Sequence, residues 1–355
     1  MMHSKQEKTS TAAVALAWVV GITGLALAQG AAAAPVIDLG VAAQYSAFIF
    51  GDVKAANDVE GRLAVGGSLT ANGLSVGYRA PAGSTGPALV VGGDVRFTNG
   101  RIYSTAPGSV TDSSAGEGNL VPWDPALAHY GNSYGVFGGQ NKGSSSYLDL
   151  RAEPKISGVV DFKAAQTQLT ALSGSLAALA STGTVAQPWS DISLSGSGKA
   201  GAVEVFDILL GSKNKLGGSW VMPTLSLSNV ASDAWVVINI LNEGDVQLSG
   251  GFTGFKPVQE AQGKVLFNLA NAQRVKLGWV DGSVLAPKAD LYGQGHVEGT
   301  VIGASISQAF EIGWEPFTPT PKPQDDHKVP EPQIVWLAGL ALVAAGLISR
   351  RRSKT

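Results

Sequence analysis

The sequence contains no cysteine, so neither a disulfide framework nor a thiolate metal site is available to it. Charged residues make up only 15% of the chain, and the formal net charge is −2. Six of the 25 basic residues lie in the two terminal segments, which leaves the body between them more acidic than the whole chain. Nucleic-acid binding requires clustered lysine and arginine, so we expect no nucleic-acid partner.

Histidine is scarce, and the body contains only His129 and His296. Neither has a second metal-ligating residue at a typical spacing, and Asp52, Asp58 and Asp245 follow no calcium-binding consensus. The sequence also lacks a Gly-x-Ser-x-Gly nucleophile motif and a phosphate-binding loop. We therefore expect no metal, no cofactor and no catalytic residue.

Glycine, by contrast, is abundant, with 46 residues, and 45% of the chain is apolar. Short apolar alternations bounded by Gly, Asn, Asp and Ser run from Leu39 to about Trp314, a pattern typical of many short strands. Two stretches recur at fixed offsets. Residues 64–69 (AVGGSL) recur as 90–95 (VVGGDV), and residues 282–286 (GSVLA) recur 17 residues later as 299–303 (GTVIG). Such offsets predict a mainly β fold in which each turn of a β-solenoid packs against its neighbours.

One segment of the body departs from this pattern. Asp161 is suited to cap a helix from Phe162 to about Ala180. Leucines at three- and four-residue steps give that helix an apolar side, formed by Leu169, Leu172, Leu176 and Leu179. We expect this helix to pack along the flank of the solenoid.

The N-terminal segment, residues 1–33, has the layout of a secretory signal peptide. Lys5 and Lys8 precede an apolar run from Ala12 to Ala28. Small residues suit signal peptidase near Ala28 or near Ala33. The chain is therefore expected to be exported, with an uncleaved N-terminal anchor as the alternative.

The C-terminal segment combines four features in a fixed order. A proline-rich stretch, residues 316–328, predicts an extended stalk. Residues 329–355 then contain an uncharged run, 333–349, that is slightly short for a membrane span but workable, and a basic end, 350–354, that would stay in the cytoplasm. The residues that define the tail are Val329, Pro330, Glu331 and Pro332, followed after the span by Arg350, Arg351 and Arg352.

This tail resembles the PEP-CTERM sorting signal of Gram-negative bacteria. The resemblance implies that an exosortase cuts the chain near Pro330–Pro332 after export, so that the C-terminal helix anchors the protein in the membrane only transiently. A plain single-pass anchor is the alternative. Signal peptidase and exosortase are thus expected partners during export, and the cell surface or the extracellular biofilm matrix is the expected location.

The body, residues 36–315, resembles the choice-of-anchor A family. The likeness is carried by residues 45–52 (YSAFIFGD), 58–67 (DVEGRLAVGG), 267–272 (FNLANA) and 282–290 (GSVLAPKAD). Asn would be more typical than Lys288. The closing turns also resemble those of ice-binding β-solenoids. The resemblance implies an adhesin-like extracellular domain, and it comes with no agreed ligand or catalytic residue.

We therefore expect a binding protein rather than an enzyme, with an extracellular polysaccharide or another surface ligand as partner. Aromatic side chains are the candidate contacts, and Trp123, Tyr130 and Tyr134 lie in a glycine- and serine-rich stretch that is expected to be exposed. Two alternatives stay open. One is a carbohydrate-active enzyme that uses carboxylates such as Asp94 beside Arg96 or Asp281 with Asp290, and the other is a structural or ice-binding-like matrix protein.

Overall fold

The computed structural model describes residues 35–79, 86–105, 130–187, 191–248, 252–253 and 262–321. The chain divides into two units, Met1–Ala33 and Ala34–Thr355, and all described residues belong to the second. The predicted signal peptide, the segment 322–328 of the stalk and the whole sorting tail lie outside these residues. None of the helices within the described ranges is long and apolar enough to cross a membrane.

The described residues form short strands, one α-helix and four short 3-10 turns at Gly40–Gln44, Ile156–Gly158, Ser212–Asn214 and Gln262–Lys264. The helix α1 is Phe162–Ala177. The strands are β1 Ala47–Ile49, β2 Asp58–Val59, β3 Leu63–Val65, β4 Leu69–Asn72, β5 Ser75–Val76, β6 Leu89–Val91, β7 Val95–Thr98, β8 Arg101–Thr105, β9 Tyr130–Asn132, β10 Gly135–Phe137, β11 Leu150–Ala152, β12 Thr184–Ala186, β13 Ile192–Ser195, β14 Val203–Ile208, β15 Lys215–Leu216, β16 Ser219–Val221, β17 Leu225–Ser228, β18 Trp235–Ile240, β19 Gly244–Leu248, β20 Phe252–Thr253, β21 Val265–Asn268, β22 Ala272–Asp281, β23 Ser283–Glu298, β24 Val301–Ile306 and β25 Glu311–Ile312.

Successive turns of the chain visit three sides in the same order, and equivalent strands of neighbouring turns pair in parallel. The first sheet stacks β14, β18, β21, the start of β23, the start of β24, β1, β3, β6, β10 and β11. The second sheet stacks β16, β19, β22, β23, the end of β24, Val53, β4 and β7. The third side consists of β13, β17 and β20, and of the ends of β22 and β23 with β25, β2, β5 and β8. The predicted mainly β fold is therefore confirmed, in the form of parallel strands that coil around one core.

Both predicted repeat offsets correspond to adjacent turns. Val65 pairs with Val91, which is the offset of 26, and Val284 pairs with Val301, which is the offset of 17. The paired glycines of the repeat lie at the corner between the first and second sheets. A Cβ atom on Gly92 would overlap the carbonyl oxygen of Gly66 in the preceding turn, so the corner requires glycine.

The order of turns along the stack differs from their order in the sequence. Residues 47–152 build turns outward from the middle of the stack, α1 then carries the chain back, and residues 192–312 return to the starting point. As a result β1 pairs with β24, with Ala47 opposite Val301. The last turn of the described chain thus lies against the first.

The helix α1 lies over the first sheet, as predicted, although it ends at Ala177 rather than near Ala180. The Asp161 side chain caps it by accepting a hydrogen bond from the Ala164 amide at 2.9 Å. Leu169 and Leu176 are buried against the sheet, and Leu172 and Leu179 pack at the margin of the same apolar cluster. The outward side chains of the first sheet are therefore covered by protein, except at β11, where Arg151 is exposed.

Residues next to the two ends of the folded body complete this cover. Ile37 and Thr320 form two mutual hydrogen bonds, from the Ile37 amide to Thr320 Oγ1 at 2.7 Å and from the Thr320 amide to the Ile37 carbonyl at 3.2 Å. Phe317 is only 2% exposed. Residues 316–320 therefore pack on the body, whereas the sequence assigned them to the extended stalk.

Four of the strands at the ends of the stack, β8, β13, β14 and β16, have their outer edges covered. The antiparallel strands β12, β15 and β9 cover β13, β16 and β8. At the edge of β14, the hydroxyls of Ser181 and Thr182 accept hydrogen bonds from the Asp207 and Val205 amides. Such capping removes the open edge along which β-proteins aggregate.

Candidate binding surfaces

With the first sheet covered, the second and third sheets are the surfaces on which a ligand could bind. Their strands alternate between buried apolar and outward polar side chains, as in β4, where Leu69 and Ala71 are buried and Thr70 and Asn72 are exposed. Because the strands pair in parallel and in register, outward side chains of successive turns form columns. The chemistry of these columns determines what each surface can bind.

One column of the second sheet carries cations. Lys276 and Tyr292 are opposite each other, Ser307 and Lys54 follow the paired Ile306 and Val53, and Thr70 is opposite Arg96. Lys142 follows Asn141, which pairs with Val95, and so continues the column. We call Lys276, Lys54, Arg96 and Lys142 the basic column, and all four are exposed.

A parallel column, two residues earlier on each strand, carries carboxylates whose oxygens are engaged within the protein. Asp290 accepts hydrogen bonds from Ser305 Oγ at 2.7 Å and Ser307 Oγ at 2.6 Å. Asp52 accepts the Ser68 amide at 2.8 Å, and Asp94 accepts the Gln140 amide at 2.8 Å. These short side chains thus hold the turns together, which is the common role of Asp beside a tight corner.

On the third side, Trp279 projects from β22 and is 57% exposed. Its ring stacks on His296 of the next turn, with centroids 4.8 Å apart and an interplanar angle of 20°. Its indole Nε1 donates to Asp281 Oδ1 at 3.0 Å. Packing and a hydrogen bond therefore fix the orientation of a large aromatic side chain that remains in contact with solvent.

His296 lies between two glutamates. Its Nε2 is 2.6 Å from Glu298 Oε1, and its Nδ1 is 3.2 Å from Glu311 Oε2. Burial opposes the charged form of His296, but the hydrogen bonds and charges of Glu298 and Glu311 outweigh it and raise the pKa to about 9. The imidazolium is thus charged at neutral pH and ion-paired, an arrangement that suits structural support better than proton transfer.

Beside Glu311, the corner between the second and third sides contains an open groove of about 530 Å³. The amide side chains of Asn57, Gln294 and Gln308 line it, together with the Glu311 carboxylate. Amides and carboxylates are groups that hydrogen-bond sugar hydroxyls. The groove lies close to Trp279, because His296 contacts both Trp279 and Glu311, and Glu311 lines the groove.

The structure separates one of the two groups of acidic residues that the sequence offered as alternatives for catalysis. Asp281 lies on the third side and Asp290 on the second, so this predicted pair is wrong. Asp94 binds Gln140 and lies 3.5 Å from Lys142. Within the described ranges no three His, Cys, Asp or Glu side chains are arranged to hold a metal ion.

Of the three predicted ligand aromatics, only Tyr134 has a side chain that the structure describes. Trp123 lies outside the described residues, and Tyr130 begins β9. Tyr134 is half-buried, with the Arg151 guanidinium 3.8 Å from its ring centroid. The role of Tyr134 as a possible ligand contact stays a prediction from the sequence.

The exposed aromatic of the third side was missed, although the sequence contained a signal for it. Trp279 and His296 are separated by 17 residues, the offset already visible between residues 282–286 and 299–303. Two residues after each of them comes an acid, Asp281 and Glu298. Extending the repeat to the outward positions would have predicted the stacked pair.

Comparison with known protein families assigns the chain to one of them. Residues 38–314 match the family described as "Putative Ice-binding-like adhesive domain". The match covers well over half of the chain, which therefore belongs to this family of ice-binding-like adhesive domains. The comparisons give no support for a choice-of-anchor A membership or a PEP-CTERM signal, so both stay predictions from the sequence.

A solved crystal structure of an ice-binding protein from the Antarctic ascomycete Antarctomyces psychrotrophicus is also similar to this chain. The identity is 14%, the match covers 79% of this chain and 97% of that chain, and the TM-score is 0.27. A similarity of this degree carries no conclusion about this protein. No curated protein matches the sequence significantly.

Proposed function

We propose that this protein is an exported adhesive domain that binds extracellular polysaccharide through its uncovered second and third sides. The observation that carries the proposal is Trp279, which is 57% exposed yet held in place by His296 and Asp281. Aromatic rings presented in this way stack on the apolar faces of sugar rings. Membership in an adhesive family supports the same conclusion, since such domains typically act outside the cell.

The partners of the carboxylates near Trp279 favour a binding protein over a glycosidase. A glycosidase needs one carboxyl group that gains and loses a proton near the working pH and a second that stabilises charge. Here Glu298 and Glu311 flank a histidine that remains charged well above neutral pH. Burial raises the pKa of Asp281, but its Oδ1 accepts the indole hydrogen bond of Trp279.

The proposal is tested by measuring how purified full-length protein binds to immobilised polysaccharides of the organism that produces it. Trp279→Ala is expected to weaken binding about tenfold, the loss of one stacking contact of ordinary strength. Tyr147→Ala is the matched control, because Tyr147 is a 64% exposed aromatic elsewhere on the surface. Equal binding by both variants and the unmodified protein would exclude Trp279 as a contact.

Ice binding is a second candidate, favoured by two adjacent hydroxyls on the third side. Ser193 and Ser226 are opposite each other on neighbouring strands, and Ser226 Oγ donates to Ser193 Oγ at 3.1 Å. Two hydroxyls are a small array, and the second sheet carries long charged side chains in place of a regular array of small ones. Measurable thermal hysteresis that Ser226→Lys abolishes would favour ice as the ligand.

We also propose that the chain is cleaved at both ends, as expected from the sequence. Signal peptidase cuts near Ala28 or Ala33, and an exosortase cuts near Pro330–Pro332, leaving the body at the surface or in the matrix. The intact mass of the protein from membrane, surface and medium fractions tests this proposal. A full-length C-terminus found only in membranes would exclude exosortase cleavage and leave a single-pass anchor.

A further inference from the structure

We infer that the second sheet binds an acidic polysaccharide, whose carboxylates lie along the basic column of Lys276, Lys54, Arg96 and Lys142. The inference deepens the proposed function, on which it rests, by naming the chemistry of one ligand and a surface separate from Trp279. The register of the strands is the first observation that supports it. Lys276 and Arg96 lie on β22 and β7, and Lys54 and Lys142 directly follow the bridge residues Val53 and Asn141, so the four cations occupy equivalent positions in the stack.

The geometry of the column suits an extended chain. Neighbouring strands lie about 4.8 Å apart, so the six steps from Lys276 to Lys142 span roughly 29 Å. Tyr292, Ser307 and Thr70 fill the intervening positions with groups that donate and accept hydrogen bonds. The column therefore offers charge and hydrogen bonding along one straight line, as a linear polymer of sugar acids requires.

The cations are available for an external anion. Among the described residues, no carboxylate pairs with the side chains of Lys54, Arg96 or Lys276, while Lys142 is 3.5 Å from Asp94. The neighbouring aspartates are occupied: Asp52 by the Ser68 amide and Asp290 by two hydroxyls. Lysine and arginine side chains also extend farther from the sheet than aspartate. A polymer resting on this surface therefore meets the positive groups first.

Charge complementarity favours an acidic polysaccharide over neutral polysaccharide, ice and nucleic acid. Neutral polysaccharide gains nothing from the three unpaired cations Lys54, Arg96 and Lys276, and ice would have to accommodate their hydrated charged groups. Nucleic acid is disfavoured because the body as a whole is acidic, so its long-range field repels a dense polyanion. A flexible polyuronate of lower charge density remains, bound locally and weakened by salt.

The test compares binding of purified full-length protein to alginate, a polyuronate, and to dextran, a neutral polymer, with EDTA present to prevent calcium bridging. The triple variant Lys54→Gln, Arg96→Gln, Lys276→Gln removes the unpaired cations of the column. The matched control is Lys155→Gln, Lys163→Gln, Lys199→Gln, which makes the same change in net charge at exposed positions outside the second sheet. Thermal melts establish that both variants are folded.

We expect the column variant to bind alginate about tenfold more weakly and to lose most of its salt dependence, whereas the control variant binds like the unmodified protein. Equal weakening in both variants would overturn the inference, because it would show an effect of net charge alone. Binding to host polysaccharide but not to alginate would overturn the inference and leave the proposed function standing. Absence of binding to any polysaccharide would overturn both.

Discussion

Ser173 and Asn268 bind each other through two hydrogen bonds across the interface between α1 and the first sheet. Ser173 Oγ donates to Asn268 Oδ1 at 2.5 Å, and Asn268 Nδ2 donates to the Ser173 carbonyl at 2.9 Å. Asn268 Nδ2 also donates to Asn239 Oδ1 at 2.8 Å, and Asn239 in turn donates to the Leu176 carbonyl. This buried polar ladder fixes the helix at one position along the sheet.

Replacing Asn268 by Ala is therefore expected to lower the free energy of unfolding by about 2–4 kcal/mol, because Ser173 Oγ and Asn239 Oδ1 lose their buried partners. Amide hydrogen exchange should accelerate within α1 before it does so in the strands. The control is Asn72→Ala, which removes exposed hydrogen bonds to Thr98 and Asn99. A helix that exchanges normally in Asn268→Ala would show that apolar contacts alone position it.

Stability should fall on the alkaline side because of His296. Its folded pKa of about 9 lies above the unfolded value of 6.5, so its contribution is complete below about pH 6.5 and is lost as pH rises through about 9. The shift corresponds to at most about 3 kcal/mol. Urea unfolding at pH 6 and pH 9.5 measures it, and His296→Gln should remove most of the difference. An equally steep pH dependence in His296→Gln would assign the effect to other groups.

The glycine corner gives a prediction with an internal control. Gly92→Ala places a methyl group against the Gly66 carbonyl, which belongs to backbone and cannot move aside, so the variant should lose about 1–3 kcal/mol. Gly158→Ala meets nothing within 4 Å and should be neutral or slightly stabilising. Chemical denaturation of the two variants measures both values. Comparable stability of the two would mean that the corner relaxes.

The buried ion pair of Arg79 and Glu60 should matter more than an exposed pair of similar geometry. Arg79 Nη1 lies 2.5 Å from Glu60 Oε2, with only 4% of the Glu60 side chain exposed. Arg79→Met is expected to cost about 3–5 kcal/mol because it leaves a buried carboxylate unpaired. Burial already raises the Glu60 pKa, so the penalty should shrink as the pH falls and the carboxyl group gains a proton.

Arg151→Met is the comparison, because Arg151 pairs with Asp149 on the open surface at 2.6 Å. Its removal should leave the unfolding transition unchanged within error. Both variants can be followed by urea denaturation at pH 7 and pH 5. A cost for Arg151→Met as large as that for Arg79→Met would contradict the distinction between buried and exposed pairs.

The sequence predicted the local units of this fold well. Offsets of 26 and 17 residues identified strands that do pair, and the leucine spacing identified α1 with its Asp161 cap. It could not predict that Ala47 would lie opposite Val301, because a repeat states how turns resemble each other and not which turns are neighbours. That adjacency depends on α1 returning the chain to the far end of the stack.

The candidate surfaces were harder to predict for a related reason. Lys54, Thr70, Arg96 and Lys142 form one column although they are 16, 26 and 46 residues apart in sequence. Insertions between strands change the spacing without changing the register, so no periodicity reveals the column. The glycine- and serine-rich surroundings of Tyr134 indicated exposure, but they could not show that Arg151, from the next strand of the first sheet, lies over its ring.

The hydrogen-bonded pair of Ile37 and Thr320 also determines how the domain would carry a mechanical load. Tension applied through the chain after Pro321 enters the body at Thr320, next to the N-terminal residues, and not at an end of the stack. The first contacts to yield are those of Thr320, Thr318 and Phe317, which bind Ile37, Gly263 and Thr300. These contacts can detach one after another and lengthen the tether while the second and third sides keep their shape. In an attached domain, a sudden force would thus detach residues 317–320 before it disturbs the surfaces that bind a ligand.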